Sequence, residues 1–249
     1  MVLVNTDAIV LRTYNLAEAD RIVVCLTRSS GLVRAVAKGA RRMKSRFGAA
    51  LEPFTLVRLA FYEKENRELV KISRAEIIKS NFDLAARLEL SELFGYIAEL
   101  VSEFAPPHEA NEKLFRMVTA CVEGLESSPE SANLIQLYFE IWLLRLAGLF
   151  PDMKICARCG LSLENQARVY IDSEGAARCD ECGKGLGSVV SADSRQTLNL
   201  SQRLGPLEFA SAQSSSNTNS DSQLGDFAHK LISRALERRP RTALAHTLR

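Results

Sequence analysis

The chain has 249 residues, 47% of them hydrophobic and 25% charged, with a formal net charge of +2 at pH 7. That size and apolar content suit one large domain or two to three small ones, and exclude a chain too polar to bury a core. No run approaches eighteen apolar residues, and Met1 to Asp7 shows no basic stretch leading into an apolar one, so neither a membrane span nor a leader is expected and a cytoplasmic location is.

The small net charge hides a segregation. Residues 1–80 carry fifteen Lys/Arg against eight Asp/Glu, residues 81–150 four against eleven, and residues 151–249 thirteen against eleven. A basic module ahead of an acidic one points to a polyanionic partner for the first.

The first eighty residues read as strands: 8–14, 21–27, 32–37, 55–62 and 69–73 are short, rich in β-branched residues and bounded by turn signals. Arg28-Ser29-Ser30-Gly31 joins the second and third as a hairpin. Five strands with a longer connection after the third suit a small OB-type barrel, with an open antiparallel sheet as the alternative. Cys25, in an apolar strand, and Cys121, in an apolar helix, are expected to be buried and reduced.

Between the third and fourth strands lies the strongest charge signal. Arg34, Lys38, Arg41, Arg42, Lys44 and Arg46 follow one another with no acidic residue among them. Self-repulsion makes such a run costly unless an anion offsets it, and phosphate is the candidate, with Gly39 and Gly48 permitting close backbone approach. Of the aromatics nearby, Tyr14, Phe47, Phe54, Phe61 and Tyr62, most are assigned to the core, and any left exposed is a candidate for stacking on a base.

From residue 82 the apolar period becomes helical. Leu84, Leu88, Leu93, Ile97, Leu100 and Phe104 line one helix, stopped by Pro106-Pro107. Leu114, Val118, Cys121, Val122 and Leu125 line a second. A third has Ser128 as N-cap and Pro129 at its first position, and runs through Trp142 to Leu146 with Gly148 as its stop. Trp142 reads as core packing.

Cys156-x-x-Cys159 and Cys179-x-x-Cys182, nineteen residues apart, form the most specific motif in the chain. Two such pairs offer four thiolates to one tetrahedral ion, while 168–171, a turn at 172–175 and 176–178 fold back as two strands. Gly160 and Gly183 trail the pairs, where a positive φ would aim amides at the thiolates. A redox pair would need one Cys-x-x-Cys in a βαβ unit, and a catalytic zinc keeps a ligand position open, so a structural Zn2+ is the reading. Beyond this ribbon, at 153–188, a short helix at 197–204, a flexible polar stretch at 211–222 and a last helix over 222–239 are expected.

The three histidines, His108, His229 and His246, belong to no metalloprotease, nucleophile-elbow or phosphate-loop motif and read as surface residues. No catalytic centre, small-molecule substrate or membrane partner is expected. The fold class expected is α+β multidomain: an N-terminal OB-fold barrel at 1–80, then an α-helical domain at 81–249 carrying the inserted four-cysteine zinc ribbon.

Three stretches of local wording, Tyr14 to Ile22, Val36-Ala37-Lys38-Gly39-Ala40-Arg41-Arg42 and Ala49-Ala50-Leu51-Glu52-Pro53-Phe54, together with that order of modules, resemble the RecO family of bacterial recombination mediators. The resemblance covers residues 1–190. It implies an OB-fold domain that binds single- and double-stranded DNA and anneals complementary strands, and that with RecR helps load RecA onto DNA coated by single-strand-binding protein. It places DNA binding on Lys38, Arg41, Arg42, Lys44 and Arg46, zinc on Cys156, Cys159, Cys179 and Cys182, and a site for the C-terminal tail of single-strand-binding protein on the helical domain. It also implies a cytoplasmic, nucleoid-associated protein. The polar stretch at 211–222 and the Arg238-Arg239-Pro240-Arg241 sequence depart from the family pattern. A zinc-containing DNA- or RNA-binding protein with another role is the alternative, and a zinc or thiol enzyme a further one.

Overall fold

Strands whose inward residues alternate with polar ones must close on themselves or find a cover, and the first strand of this chain is long enough to do the former. In the computed structural model, which describes residues 2–63, 69–214 and 218–242 and leaves out the side chains of 218–220, β1 spans Val2–Leu16. It is followed by β2 (Asp20–Thr27), β3 (Gly31–Ala37), β4 (Leu56–Glu63) and β5 (Leu69–Lys79). The first half of β1 pairs antiparallel with β4 and its second half with β2, with a register shift between Val10 and Arg12. That double pairing closes a five-stranded barrel of order β1-β2-β3-β5-β4, in which β3 and β5 run parallel. The OB expectation is met, and the open-sheet alternative is excluded by the β1–β4 ladder.

The barrel is filled, as small barrels are. Ala8, Val10, Val23, Cys25, Val33, Ala35, Leu59, Phe61 and Ile72 point inward, and a 3-10 turn over Gly48–Leu51 adds Leu51 beneath one end with Phe47 beside it. Cys25 and Cys121 are fully buried, and burial pushes both thiols up, Cys25 to about 12.

Helices α1 (Phe82–Ala85), α2 (Leu88–Phe104) and α3 (Glu112–Ser127) follow. The single helix expected from residue 82 is broken between Ala85 and Leu88, because Arg87 adopts extended backbone (ψ 131°). The break turns Leu88 outward, at 87% exposure, while Leu93, Ile97 and Leu100 stay buried as expected. Helix α2 packs on the barrel: the Phe54 and Phe94 ring centroids lie 4.4 Å apart, and Arg12 Nη2 donates to the Gly95 carbonyl at 3.1 Å. The chain returns to this compact unit, Met1–Glu126, at Pro240. There the amides of Arg241 and Thr242 each donate at 2.8 Å to the carboxylate of Glu99, which is 4% exposed, and the Thr242 hydroxyl donates to it as well.

A second compact unit comprises Ser127–Arg239. Here a 3-10 turn over Pro129–Ser131 precedes α4 (Ala132–Leu146), so Ser128 and Pro129 open that turn and not the α-helix. Around α4 pack α6 (Ala192–Arg203), α7 (Pro206–Gln213) and α8 (Thr218–Ala235). Trp142 Nε1 donates to the Ser201 carbonyl at 2.8 Å, and Tyr138 meets Phe209 with centroids 5.5 Å apart, which is core packing. The polar stretch at 211–222 is helical on both sides, to Gln213 in α7 and from Thr218 in α8; residues 215–217 lie outside the described residues. Inserted between α4 and α6 is the ribbon: β6 (Arg168–Ile171), β7 (Ala177–Arg178), a short α5 (Asp180–Gly183) and β8 (Ser188–Ser191) form a sheet of order β7-β6-β8 with one helical turn. The strand β8 extends the two-stranded ribbon expected.

Candidate nucleic-acid interface and metal centre

On β3 the alternation puts Val33, Ala35 and Ala37 into the barrel and leaves Arg34 on its outer surface. Beyond β3 the chain makes consecutive turns in which Lys38, Arg41, Arg42, Lys44 and Arg46 are all exposed. These turns are fastened to the connection between β1 and β2. The Gly39 amide donates to Asp20 Oδ1 at 2.8 Å, a turn made possible by φ +72° at that glycine, and the Arg41 amide donates to the Ala19 carbonyl at 3.0 Å. The Arg41 guanidinium donates to the Ala17 carbonyl at 2.9 Å, so Arg41 serves the loop as well as offering charge. At the far end Phe47 is buried, and the Arg46 guanidinium lies 4.8 Å above its ring.

Five other cations of this unit meet a carboxylate in place. Arg21 pairs with Glu52 at 3.0 Å, Arg28 and Arg58 share Asp7, Arg74 pairs with Glu76, and Lys79 with Glu126. Arg34, Lys38, Arg41, Arg42, Lys44 and Arg46 form no ion pair among the described residues. Six exposed charges without a carboxylate partner, within thirteen residues of chain, set up a positive potential that attracts anions from solution. Phe47, Phe54 and Phe61 are buried, whereas Tyr14 is 49% exposed on β1. Asp20 and the carbonyls of Ala17 and Ala19 were not legible as part of this surface; the signal was a lone acidic residue at the start of the second strand, opposite an unbroken basic run.

The four cysteines come together from opposite ends of the ribbon. Cys156 and Cys159 lie on a tight turn closed by Cys156 N donating to the Leu161 carbonyl at 2.8 Å. Cys179 caps α5 and Cys182 lies within it. A bond from Ala157 N to the Ala177 carbonyl, 2.8 Å, joins the two halves. All four Sγ atoms fall within 4.8 Å of one another, and Cys159 and Cys179 Sγ are 3.8 Å apart. Metal–thiolate bonds of about 2.3 Å in a tetrahedron give sulfur separations of about 3.8 Å, so these residues fit a four-coordinate ion that leaves no open position.

The ionisation of the thiols is what a shared cation would ease. Against the push of burial, backbone amides of Cys159, Cys179 and Arg158 hold Cys156 down at about 6. Hydrogen bonding to Cys179, then burial, pushes Cys182 up to about 12, and neighbouring thiols raise Cys159 against the pull of the Leu161 amide. One thiolate forms at the expense of the others because like charges this close repel, and a bound cation removes that conflict. The β6–β7 turn is set by Asp172, which accepts from the Ala176 amide at 2.9 Å and from Arg178 Nε at 2.7 Å; both hold its carboxyl below the usual range. Gly160 takes the positive φ expected (+74°), whereas Gly183 does not: a Cβ there would meet Tyr170 Cβ at 2.5 Å, so glycine is required for close packing.

The histidines divide. His108 lies 3.5 Å from Glu63, and His246 lies outside the described residues. His229, expected on the surface, is half-buried on α8: its Nε2 lies 3.2 Å from Oε1 of Glu140, which is 1% exposed on α4. Burial opposes the imidazolium, but the hydrogen bond and charge of Glu140 outweigh it, and the His229 pKa is raised. The same unit has a cleft of about 910 Å³, lined by Arg145, Phe150, Met153, Lys154, Arg195 and Leu198 among others. Among the described residues no helix is long and apolar enough to cross a membrane.

Comparison with known proteins places this geometry in context. Residues 1–81 match the sequence family described as recombination protein O N terminal, and residues 88–244 the one described as recombination protein O C terminal. Proteins named DNA repair protein RecO are similar over most of their length. The one from Koribacter versatilis is 34% identical over 210 residues, 84% of each chain. The one from Anaeromyxobacter sp. strain K is 34% identical over 74% of this chain and 72% of its own, and that from Geobacter metallireducens 34% over 74% and 75%.

Proposed function

The chain belongs to the recombination protein O family, a family of DNA repair proteins, and from that premise we propose that it is a DNA-binding mediator that anneals complementary strands in recombinational repair. The observation that carries this reading is the set of exposed, uncompensated cations at Arg34, Lys38, Arg42 and Lys44, with Arg41 and Arg46 beside them, on the outside of a closed barrel. Two phosphate chains on such a surface repel each other less than in water, so they approach and pair sooner, with no bond made or broken by the protein. The role assigned is therefore binding and juxtaposition, not catalysis.

The partners proposed are single- and double-stranded DNA, RecR, and the tail of single-strand-binding protein. An acidic, apolar tail finds matching chemistry in the cleft of the helical unit, where Arg145, Lys154 and Arg195 flank Phe150, Met153 and Leu198. Arg145 and Arg195 donate to main-chain carbonyls and a serine hydroxyl, which orient them without cancelling their charge. The ion proposed for the four thiolates is Zn2+, held by Cys156, Cys159, Cys179 and Cys182 as a structural cross-link between the two halves of the ribbon. The location proposed is cytoplasmic and nucleoid-associated.

The test is annealing of complementary strands, bare and coated with single-strand-binding protein, across a salt series. If about four to six phosphates are neutralised, the logarithm of the binding constant falls against that of salt with a slope of about −3 to −5. Acceleration of both substrates supports the mediator. Acceleration of bare strands alone leaves a DNA-binding protein with another role, and no binding at low salt ends the proposal.

A further inference from the structure

Within the cationic connection sits one residue that charge does not explain. Met43 is 105% exposed, the most exposed large apolar side chain among those described, and its neighbours on both sides are Arg42 and Lys44. Single exposed apolar residues are ordinary on protein surfaces. This one differs in how it is presented. The Ser45 amide donates to the Arg42 carbonyl at 2.9 Å, closing a turn with Met43 and Lys44 at its corners. That turn follows another, in which Arg42 N donates to the Gly39 carbonyl at 3.2 Å. The pair of turns is held at its start by Asp20, Ala17 and Ala19, and at its end by the buried Phe47. Met43 is thus carried outward on a fastened tip, among charges whose counter-ions must come from solution.

We propose that Met43 is a base-contacting residue: the thioether rests against, or enters between, the bases of a single strand whose phosphates lie against Arg42 and Lys44. This rests on the reading that the connection binds nucleic acid. The chemistry suits the side chain. Methionine is unbranched and polarisable, fits irregular gaps and makes favourable contacts with aromatic rings, and apolar wedges of this kind unstack base steps elsewhere. Contact with a base face carries no sequence information, so Met43 would add affinity without adding sequence preference. Its further consequence is mechanistic: a strand with one step held open and its phosphates screened is prepared for a complementary strand.

The experiment uses the full chain and a single-stranded oligonucleotide with one 2-aminopurine, read by its fluorescence, at low salt and through a salt series. With the natural protein, binding brightens the probe as the base is unstacked. For Met43→Gln the salt slope stays the same, affinity falls about fivefold to tenfold and the fluorescence change is lost; Met43→Leu keeps most of both. Because the side chain touches no core, the thermal midpoint of each variant should match that of the natural chain. Natural brightness and affinity in Met43→Gln would overturn the role of Met43 while leaving the interface standing. Failure of the natural protein to bind at low salt would overturn both.

Discussion

Two places in this molecule gather like charge, and they differ in what surrounds it. On the barrel, Arg34, Lys38, Arg42 and Lys44 stand in solvent, and their mutual repulsion is weakened by water and salt. In the ribbon, four thiols lie within 4.8 Å, Cys156 and Cys179 buried, Cys182 half-buried and Cys159 exposed, so that closeness more than depth sets their repulsion. The first arrangement tolerates an absent counter-charge, as a surface that binds and releases one must; in the second Cys156 is held down at about 6 while Cys159 and Cys182 are pushed up, so four thiolates together call for a cation between them. One electrostatic rule at two spacings thus suits the first to the reversible binding proposed and the second to a held ion.

The sharpest way to break this contrast is to remove the ion. Chelation, or Cys179→Ser, should unfold the ribbon, since structural zinc in finger peptides contributes about 10–16 kcal/mol to folding. Proteolysis should then cut within 153–188, while affinity for a short single strand changes less than about twofold. Loss of DNA binding in parallel would show that the two charge clusters are not independent.

The converse experiment reverses Arg42 and Lys44 to glutamate together. Annealing should cease, with affinity at low salt down about a hundredfold and the salt slope shallower by about two, and the thermal midpoint should hold. Arg41→Glu is a less clean probe, because it also removes the donor to the Ala17 carbonyl and should cost about 1 kcal/mol of stability. A third solution to buried charge, neutral donors, is tested at Glu99. Glu99→Ala strands the amides of Arg241 and Thr242 and should lower stability by about 2–3 kcal/mol, read from the denaturant midpoint.

The smallest effect expected is at His229 and Glu140, where a half-buried imidazole faces a buried carboxylate. A raised pKa means that the pairing stabilises fully below the ordinary histidine value of 6.5 and less as pH rises through the higher, folded value. The thermal midpoint of the natural protein should therefore lead that of His229→Gln at pH 6 and lose the lead by pH 9. A lead that grew with pH would contradict the ion pair.

What could be read from the sequence was whatever repeats at short range. Val33, Ala35 and Ala37 alternate with Arg34, so the strand and its outward charge were both visible, and the cysteine spacing carried the ribbon. What escaped depended on partners far along the chain or on a break in period. Glu99 gave no sign of accepting from residues some 140 positions away. Arg87 is an ordinary helix former, and only its extended backbone turned Leu88 outward. Serine and asparagine at 211–222 hid helical ends, since their weak propensity is overridden where Gln213 and Phe227 are buried. Gly183 looked like a turn glycine because a close approach to Tyr170 leaves no trace in sequence.

The donors that meet Glu99 have a bearing on how the protein is made. A ribosome delivers the barrel and its helical cover first, then spends more than a hundred further codons on the second unit before residues 241 and 242 emerge. Until then a buried carboxylate of the first unit lacks three of its hydrogen bonds. The unit made before the other is therefore sealed after it, and a translation product truncated ahead of residue 241 would be marked by a loosened barrel-bearing unit.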